Sequence, residues 1–392
     1  MIKKIKGFFQ RKIAEYNNER YKKNEENFNK NNYLTHITYY KVGNAGDTCL
    51  SQCVRKTFEK NSVNSSWKII NLSDTVTDKT ISCINNSNGI VLGGGGLFLP
   101  DTNGNNISGW QWAISKEDVN RINKPIIIFS VGYNYFRGQT PSDLFKDSLI
   151  NICEKAAFIG LRNGGSVREV KKLLPEKLKD KVIYQPCTTT LIRKIYSDLP
   201  PKKQGTKNIC LNMAFDRSEM RYGENKDKIL NQVAKGIKKI ENMGYKIHFA
   251  AHMKTDFSFL PYLEEQGVHF ESHDVSAFLP NKLFEFYNNM DLVLGMRGHA
   301  QMIPFGLNCE IISLGTHEKM KWFLEDINAP EWYIELTNDI ESLDLRIADT
   351  FREVHITNHD ETNKRLLAAQ DRLWNITQKN LEVIKEITSY EK

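Results

Sequence analysis

Gly89-Ile90-Val91-Leu92-Gly93-Gly94-Gly95-Gly96-Leu97 is the stretch on which the fold turns. Three apolar residues bounded by glycines are too few for a helix and read as a strand buried on both faces. Comparable runs lie upstream at 35–42 and 67–72 and downstream at 125–131, 157–161 and 182–185. Helix-patterned stretches separate them, and such alternation predicts a parallel sheet with crossover helices. Leu199-Pro200-Pro201-Lys202-Lys203-Gln204-Gly205 interrupts the pattern, because consecutive prolines continue neither a helix nor a central strand. Beyond it the alternation resumes with strands at 208–213, 245–250, 268–271, 291–295 and 310–314, and with helices such as 225–243 and 280–290. From 338 to 390, Leu366, Leu367, Leu373, Ile376, Leu381, Ile384 and Ile387 keep a helical spacing without turn chemistry. The expectation is an α/β protein with two Rossmann-like domains, 33–199 and 206–337, facing a cleft. Residues 338–392 form a helical segment over the junction, and 1–32 a basic tail and linker.

A chain of 392 residues suits two domains, and 40% hydrophobic with 26% charged residues is a globular composition. No window approaches the roughly 18 apolar residues of a membrane span. Lys3, Lys4 and Lys6 precede Gly7-Phe8-Phe9, but Gln10-Arg11-Lys12 follows at once, so a signal-peptide core is missing. A cytoplasmic location is expected, with peripheral contact at the inner membrane face as the alternative. The net charge of +7 is concentrated in residues 1–31, where nine Lys or Arg face four Glu. The body is therefore near neutral, and nucleic acid is not an expected partner. In the tail, Ile2, Ile5, Phe9, Ile13 and Tyr16 recur at helical spacing among basic residues, a pattern suited to an anionic membrane face or to docking on the body. The seven cysteines include no pair at zinc-knuckle spacing and read as reduced thiols. His248/His252 and His269/His273 have metal-like spacing, yet on a strand four residues reach too far for one ion. No metal is expected.

Ligands of open parallel sheets sit beyond the carboxyl ends of strands, where helix N-termini present free N–H groups. Each unusual motif of the chain falls at such an end. Asn44-Ala45-Gly46-Asp47 follows the first strand, and Asp47 either caps the next helix or binds a hydroxyl. Gly93, Gly94, Gly95 and Gly96 either let a ligand approach the backbone or make a bare turn, and their place in the chain disfavours a nicotinamide dinucleotide. Arg162-Asn163-Gly164-Gly165-Ser166 opens a helix with a guanidinium suited to a carboxylate or phosphate. Met296-Arg297-Gly298-His299 sets a permanent cation beside a titratable imidazole. His252 follows a strand and points at the same cleft. Trp110 and Trp112 either stack on a sugar or belong to the core.

The order of these motifs resembles the polysaccharide pyruvyl transferase family: Asn44 to Asp47, Gly93 to Leu97, Arg162 to Ser166, then Arg297-Gly298-His299 with Pro304 and the segment His317-Glu318-Lys319. The resemblance runs from about 40 to about 325. Two positions differ: Gln185-Pro186-Cys187-Thr188 stands where the family often has Pro-Asp-Pro, and Gly298 replaces a usually larger residue. The resemblance implies a fold like the two-Rossmann-domain (GT-B-like) glycosyltransferases, phosphoenolpyruvate as donor substrate and no cofactor. It implies a sugar of a cell-surface glycan or its lipid-linked precursor as acceptor, ketalised by pyruvate for capsule or exopolysaccharide. Arg162 and Arg297 are then expected on the donor's carboxylate and phosphate, and His299 as proton donor or phosphate contact. Asn44, Asp47, Gly93 to Gly96, Ser166, His252, His317 and Lys319 would complete substrate binding. The rival readings are a sugar-nucleotide-dependent glycosyltransferase of the same architecture and a non-catalytic glycan- or membrane-surface-binding protein.

Overall fold

The computed structural model describes residues 32–389 together with Asn18, Glu19, Lys22, Glu26 and Asn29. The helical pattern at 2–16 lies outside the described residues. Two six-stranded parallel sheets organise the chain. The first contains β1 (Leu34–Thr38), β2 (Trp67–Asn71), β3 (Ile90–Phe98), β4 (Ile126–Tyr133), β5 (Phe158–Leu161) and β6 (Val182–Tyr184), in the order β2-β1-β3-β4-β5-β6. The second contains β7 (Asn208–Asn212), β8 (Lys246–Ala251), β9 (Phe270–Asp274), β10 (Leu292–Gly295), β11 (Glu310–Gly315) and β12 (Tyr333–Glu335), in the order β12-β11-β10-β7-β8-β9. Both orders reverse once, between β1 and β3 and between β7 and β10, and such a switch point opens a crevice at the strand ends.

The central strands are buried throughout because helices cover both faces, which is why they read as continuous apolar runs. Helix Ala45–Lys60 is capped by Asn44, whose side chain accepts from Gly46 N at 3.0 Å. The cap therefore belongs to Asn44, and the Asp47 carboxylate is left over for other work. The glycine run lies inside β3, paired to β4 at Gly93↔Phe129 and Gly95↔Val131. At Gly93 φ is 132°, and a Cβ would come within 2.2 Å of Phe129 O. A side chain is excluded there by the neighbouring strand. Trp110 and Trp112 belong to the core, and Trp110 Nε1 donates to Ser148 Oγ at 2.9 Å.

Helix Gly164–Leu173 of the first-sheet half meets helix Glu318–Asp326 of the second. A Cβ on Gly165 would lie 1.9 Å from the Trp322 ring, and Gly164 N donates to both Asp326 carboxylate oxygens at 3.1 and 3.0 Å. The 31-residue helix His359–Ser389 ties the halves again. Its Gln370 Nε2 donates to Phe305 O at 2.5 Å, and its Asn380 Nδ2 to Tyr184 O and Gln185 Oε1, both at 2.9 Å. No described helix is long and apolar enough to cross a membrane.

Candidate functional site

A cavity of about 510 Å³ lies between the carboxyl ends of the two sheets. Its wall on the first-sheet side includes Asn44, Asp47, Gly95, Gly96, Asn134 and Arg162, and on the second Asp216, Arg221, His252, Arg297, His299 and Lys319.

Arg162 follows β5 directly and is buried, with 7% of its surface exposed. Space for it is made by glycines: a Cβ on Gly132 would lie 2.2 Å from its Nε, and one on Gly96 3.1 Å from its Nη2. Among the described residues it has no carboxylate partner within ion-pair distance. Its Nη2 donates to Asn134 Oδ1 at 3.1 Å, while its Nε is buried without an acceptor. A buried guanidinium with idle donors is costly unless an anion completes it. Lys319 opens helix Glu318–Asp326 on the opposite wall. Burial, then Arg221 and Arg162, push its ammonium well below the usual lysine range, with Asp216 pulling the other way.

Arg297 follows β10 and is held in place by carboxylates. Its Nε and Nη2 donate to Asp256 at 2.8 and 2.5 Å, and its Nη1 lies 2.8 Å from Asp216 Oδ1. Arg221 adds a pairing to Asp216 at 3.1 Å; burial raises the Asp216 carboxyl, but the charges of Arg221, Arg297 and Lys319 outweigh it and leave the carboxyl below its ordinary value. Asp216 and Asp256 were not singled out from sequence. Asp216 lies four residues past the end of β7, a position that the strand-end rule could have flagged. Asp256 sits in the turn Lys254–Phe259 and is fully buried, and nothing local marks it.

His299 begins helix His299–Gly306 and packs against the N-terminus of Ala45–Lys60, where a Cβ on Gly46 would be 2.3 Å from its Nδ1. Burial, then Arg162, His252 and Lys319, lower its pKa well below the usual range, so the imidazole is neutral at physiological pH. Its Nε2 lies 3.8 Å from Cys187 Sγ, at the position where Pro-Asp-Pro would have set a carboxylate. Burial raises that thiol's pKa, so Cys187 supplies no charge to the imidazole. Asp47 is shifted in the opposite sense to His299: burial raises it to about 6 even though Arg162, Arg297 and Lys319 pull it down. His252 is held near 3 by burial and Arg297, with Nε2 at 2.5 Å from Tyr287 Oη and Nδ1 without a hydrogen-bond partner among the described residues. Gly298 adds open volume, since a Cβ there would meet only Met320 Sδ at 3.9 Å.

Gly93, Gly94, Ser166 and His317 do not line the cavity. Ser166 Oγ accepts from Tyr133 N at 3.0 Å, and its own N–H is capped by Asn163 at 2.7 Å. His317 caps the helix that bears Lys319, accepting from Lys319 N at Nδ1, and its Nε2 lies 3.3 Å from Asn134 O. It thus spans the two halves beneath the cavity.

Two parallel Rossmann-like sheets with a cation-rich cleft between their carboxyl ends define an α/β protein of the GT-B-like class. Solved structures of that shape agree. A putative UDP-N-acetylglucosamine 2-epimerase from Listeria monocytogenes superposes with a TM-score of 0.55 at 11% identity, covering 89% of this chain and 96% of its own. A UDP-N-acetylglucosamine 2-epimerase from Rickettsia bellii gives 0.54 at 13%, covering 92% and 97%. A glycosyltransferase from Rickettsia africae gives 0.53 at 14%, covering 93% and 100%. At such identities the likeness shows the fold alone. No curated protein matches the sequence. The profile of the polysaccharide pyruvyl transferase family matches residues 44–318, and the chain belongs to that family.

Proposed function

We propose that the protein transfers pyruvate from phosphoenolpyruvate to two hydroxyls of a sugar in a cell-surface glycan or its lipid-linked precursor, forming a cyclic ketal. The observation that carries this reading is the pair of basic side chains, Arg162 and Lys319, on opposite walls of one cavity and, among the described residues, without carboxylate partners within ion-pair distance. The donor's carboxylate and phosphate bring about three negative charges, and buried charge-assisted bonds are the strong means of holding them. Arg297 joins them through the N–H groups that Asp256 and Asp216 leave over, and the two carboxylates fix its plane.

Ketal formation adds one proton to the methylene carbon of the enol phosphate, joins two sugar oxygens to the adjacent carbon and breaks its bond to the phosphate oxygen. The two hydroxyl protons balance the reaction: one replaces the proton delivered to carbon, and the other leaves with phosphate. His299 is neutral because of burial and the cations around it. An anion seated between Arg162 and Lys319 offsets that positive field, so donor binding raises the imidazole's proton affinity and equips it as general acid. Asp47, ionised above about 6, accepts a proton from the attacking hydroxyl. Asn44, Gly95, Gly96 and His252 line the remaining volume for the acceptor, with the opening at Gly298 extending it. The cytoplasm, where phosphoenolpyruvate is made, is the location that this chemistry requires.

The test is a thermal-shift titration with phosphoenolpyruvate and, separately, with nucleotide sugars, repeated with Arg162→Ala. Phosphoenolpyruvate should raise the melting temperature of the wild type and not of the variant. Stabilisation by a nucleotide sugar alone would replace this reading with a glycosyltransferase.

A further inference from the structure

We propose that His248, Glu271 and His273 form a site for a divalent first-row transition ion of the zinc class at the outer edge of the second sheet. The three residues come together across strands. Edge strand β9 pairs with β8 in parallel, with His248 opposite Glu271 and Ala250 opposite His273. Residues two apart on a strand share a face, so both histidines and the glutamate project from one side of the sheet. Ala250, the residue facing His273, is small enough to let the two rings lean together. His248 Nδ1 and His273 Nε2 are 3.1 Å apart, and Glu271 Oε2 stands 3.7 and 3.9 Å from them.

That carboxylate is too distant to hydrogen-bond either ring. It is close to where a ligand would stand, because tetrahedral bonds of 2.0–2.1 Å separate neighbouring ligand atoms by about 3.3 Å. The rings are held in this arrangement by stacking on each other at 5.4 Å and by Phe286 at 4.9 Å from His273. Two imidazoles and one carboxylate favour zinc, cobalt, nickel or copper over magnesium or calcium. Glu271 is mostly exposed, so a fourth position opens to water.

A second cluster of similar composition lacks this character. Both oxygens of buried Glu310 are already paired, with His355 Nδ1 at 2.5 Å and His359 Nδ1 at 2.7 Å, and Asn363 adds a bond at 3.2 Å. It is a satisfied carboxylate. None of His248, Glu271 and His273 lines the cavity between the sheets, so the site stands or falls independently of the pyruvyl transfer reading. A bound ion would staple edge strand β9 to its neighbour.

The test titrates the chelator-treated full chain with cobalt(II) chloride, followed by visible absorption, and then with zinc chloride by calorimetry. The expected result is one equivalent of cobalt with a four-coordinate absorption band, displaced by zinc, and a higher melting temperature with zinc. Glu271→Ala and His273→Gln should each weaken binding by more than the roughly 10–100-fold cost of losing an outer-shell partner, and His359→Gln should leave it unchanged. The first substitution is at an exposed side chain, so misfolding cannot account for its effect. Absence of saturable binding below millimolar metal, binding retained in both site variants, or binding lost in His359→Gln would overturn the proposal.

Discussion

At Asp47 the requirements of folding and of chemistry oppose each other. Asn44 has taken over the helix cap, so the half-buried carboxyl beside the cavity accepts no hydrogen bond from the described residues, and loss of solvent raises its pKa to about 6 from 3.8. Between those values the folded chain binds more protons than the unfolded one. The contribution of Asp47 is therefore most favourable below pH 3.8 and is lost as pH rises through 6. Asp47→Asn removes that cost, and at pH 7.5 the free variant should be more stable by on the order of 2 kcal/mol. Turnover should fall about 100-fold or more, as for loss of a general base. Urea denaturation of both proteins from pH 4 to 8 checks the first claim, and wild-type stability should decline relative to the variant across pH 4–6. In kcat/KM the wild type should show a limb near pH 6 that the variant lacks. Parallel stability curves would remove Asp47 from the mechanism.

Between elements, the cleft depends on how closely helices Gly164–Leu173 and Glu318–Asp326 approach. Gly165 has no room for a methyl group beside Trp322, and the same two elements carry the neighbourhoods of Arg162 and Lys319. Gly165→Ala should force the helices apart, costing about 1–3 kcal/mol as overpacking does. The apparent affinity for phosphoenolpyruvate should drop about tenfold, because a misplacement near 1 Å has large effects on a charge-assisted site. Adding Trp322→Ala should return most of that affinity, and a double variant as impaired as the single would break the link between helix spacing and anion binding. The strands were legible at this scale because runs such as Ile90-Val91-Leu92 and Leu292-Val293-Leu294 are apolar on both faces. β12 was not, since Tyr333–Glu335 is three residues long and its pairing comes from Ser313 to Gly315. The glycine run reads as a turn locally and becomes strand only because β4 supplies its partners. Arg162 and the imidazole at 299 could be picked out by their positions after strands. Asp256 could not, because its meaning depends on meeting Arg297, 41 residues away. The same holds for His248 with Glu271 and His273, where spacing along the chain misleads and the register between strands brings the groups together.

Over the whole molecule, the long helix His359–Ser389 joins the two halves whose facing walls carry Arg162 and Lys319. Its first turns pack on the second-sheet half, through Gln370 to Phe305 O and Arg372 to Asp326 O at 2.6 Å. Its later turns reach the first-sheet half, where Asn380 donates to Tyr184 O and Gln185 Oε1, and Gln185 Nε2 donates to Thr377 Oγ1 at 3.2 Å. Gln185 is fully buried, so removing its partner leaves an unsatisfied carbonyl in an apolar setting, which costs about 1–3 kcal/mol. Asn380→Ala should therefore destabilise the fold by that amount in urea. It should also raise KM for phosphoenolpyruvate more than it lowers kcat, since the substitution loosens the placement of the walls without touching a reacting group. Asn380→Asp keeps an acceptor but loses both donors, so it should behave like the alanine variant, whereas Asn380→Gln should recover part of the effect. X-ray scattering should report a larger radius of gyration for the alanine variant in the absence of donor, contracting when phosphoenolpyruvate bridges the two halves. A variant that loses stability with KM and dimensions unchanged would mean that the helix supports the second-sheet half alone, and that the cleft is fixed by the Gly165–Trp322 contact.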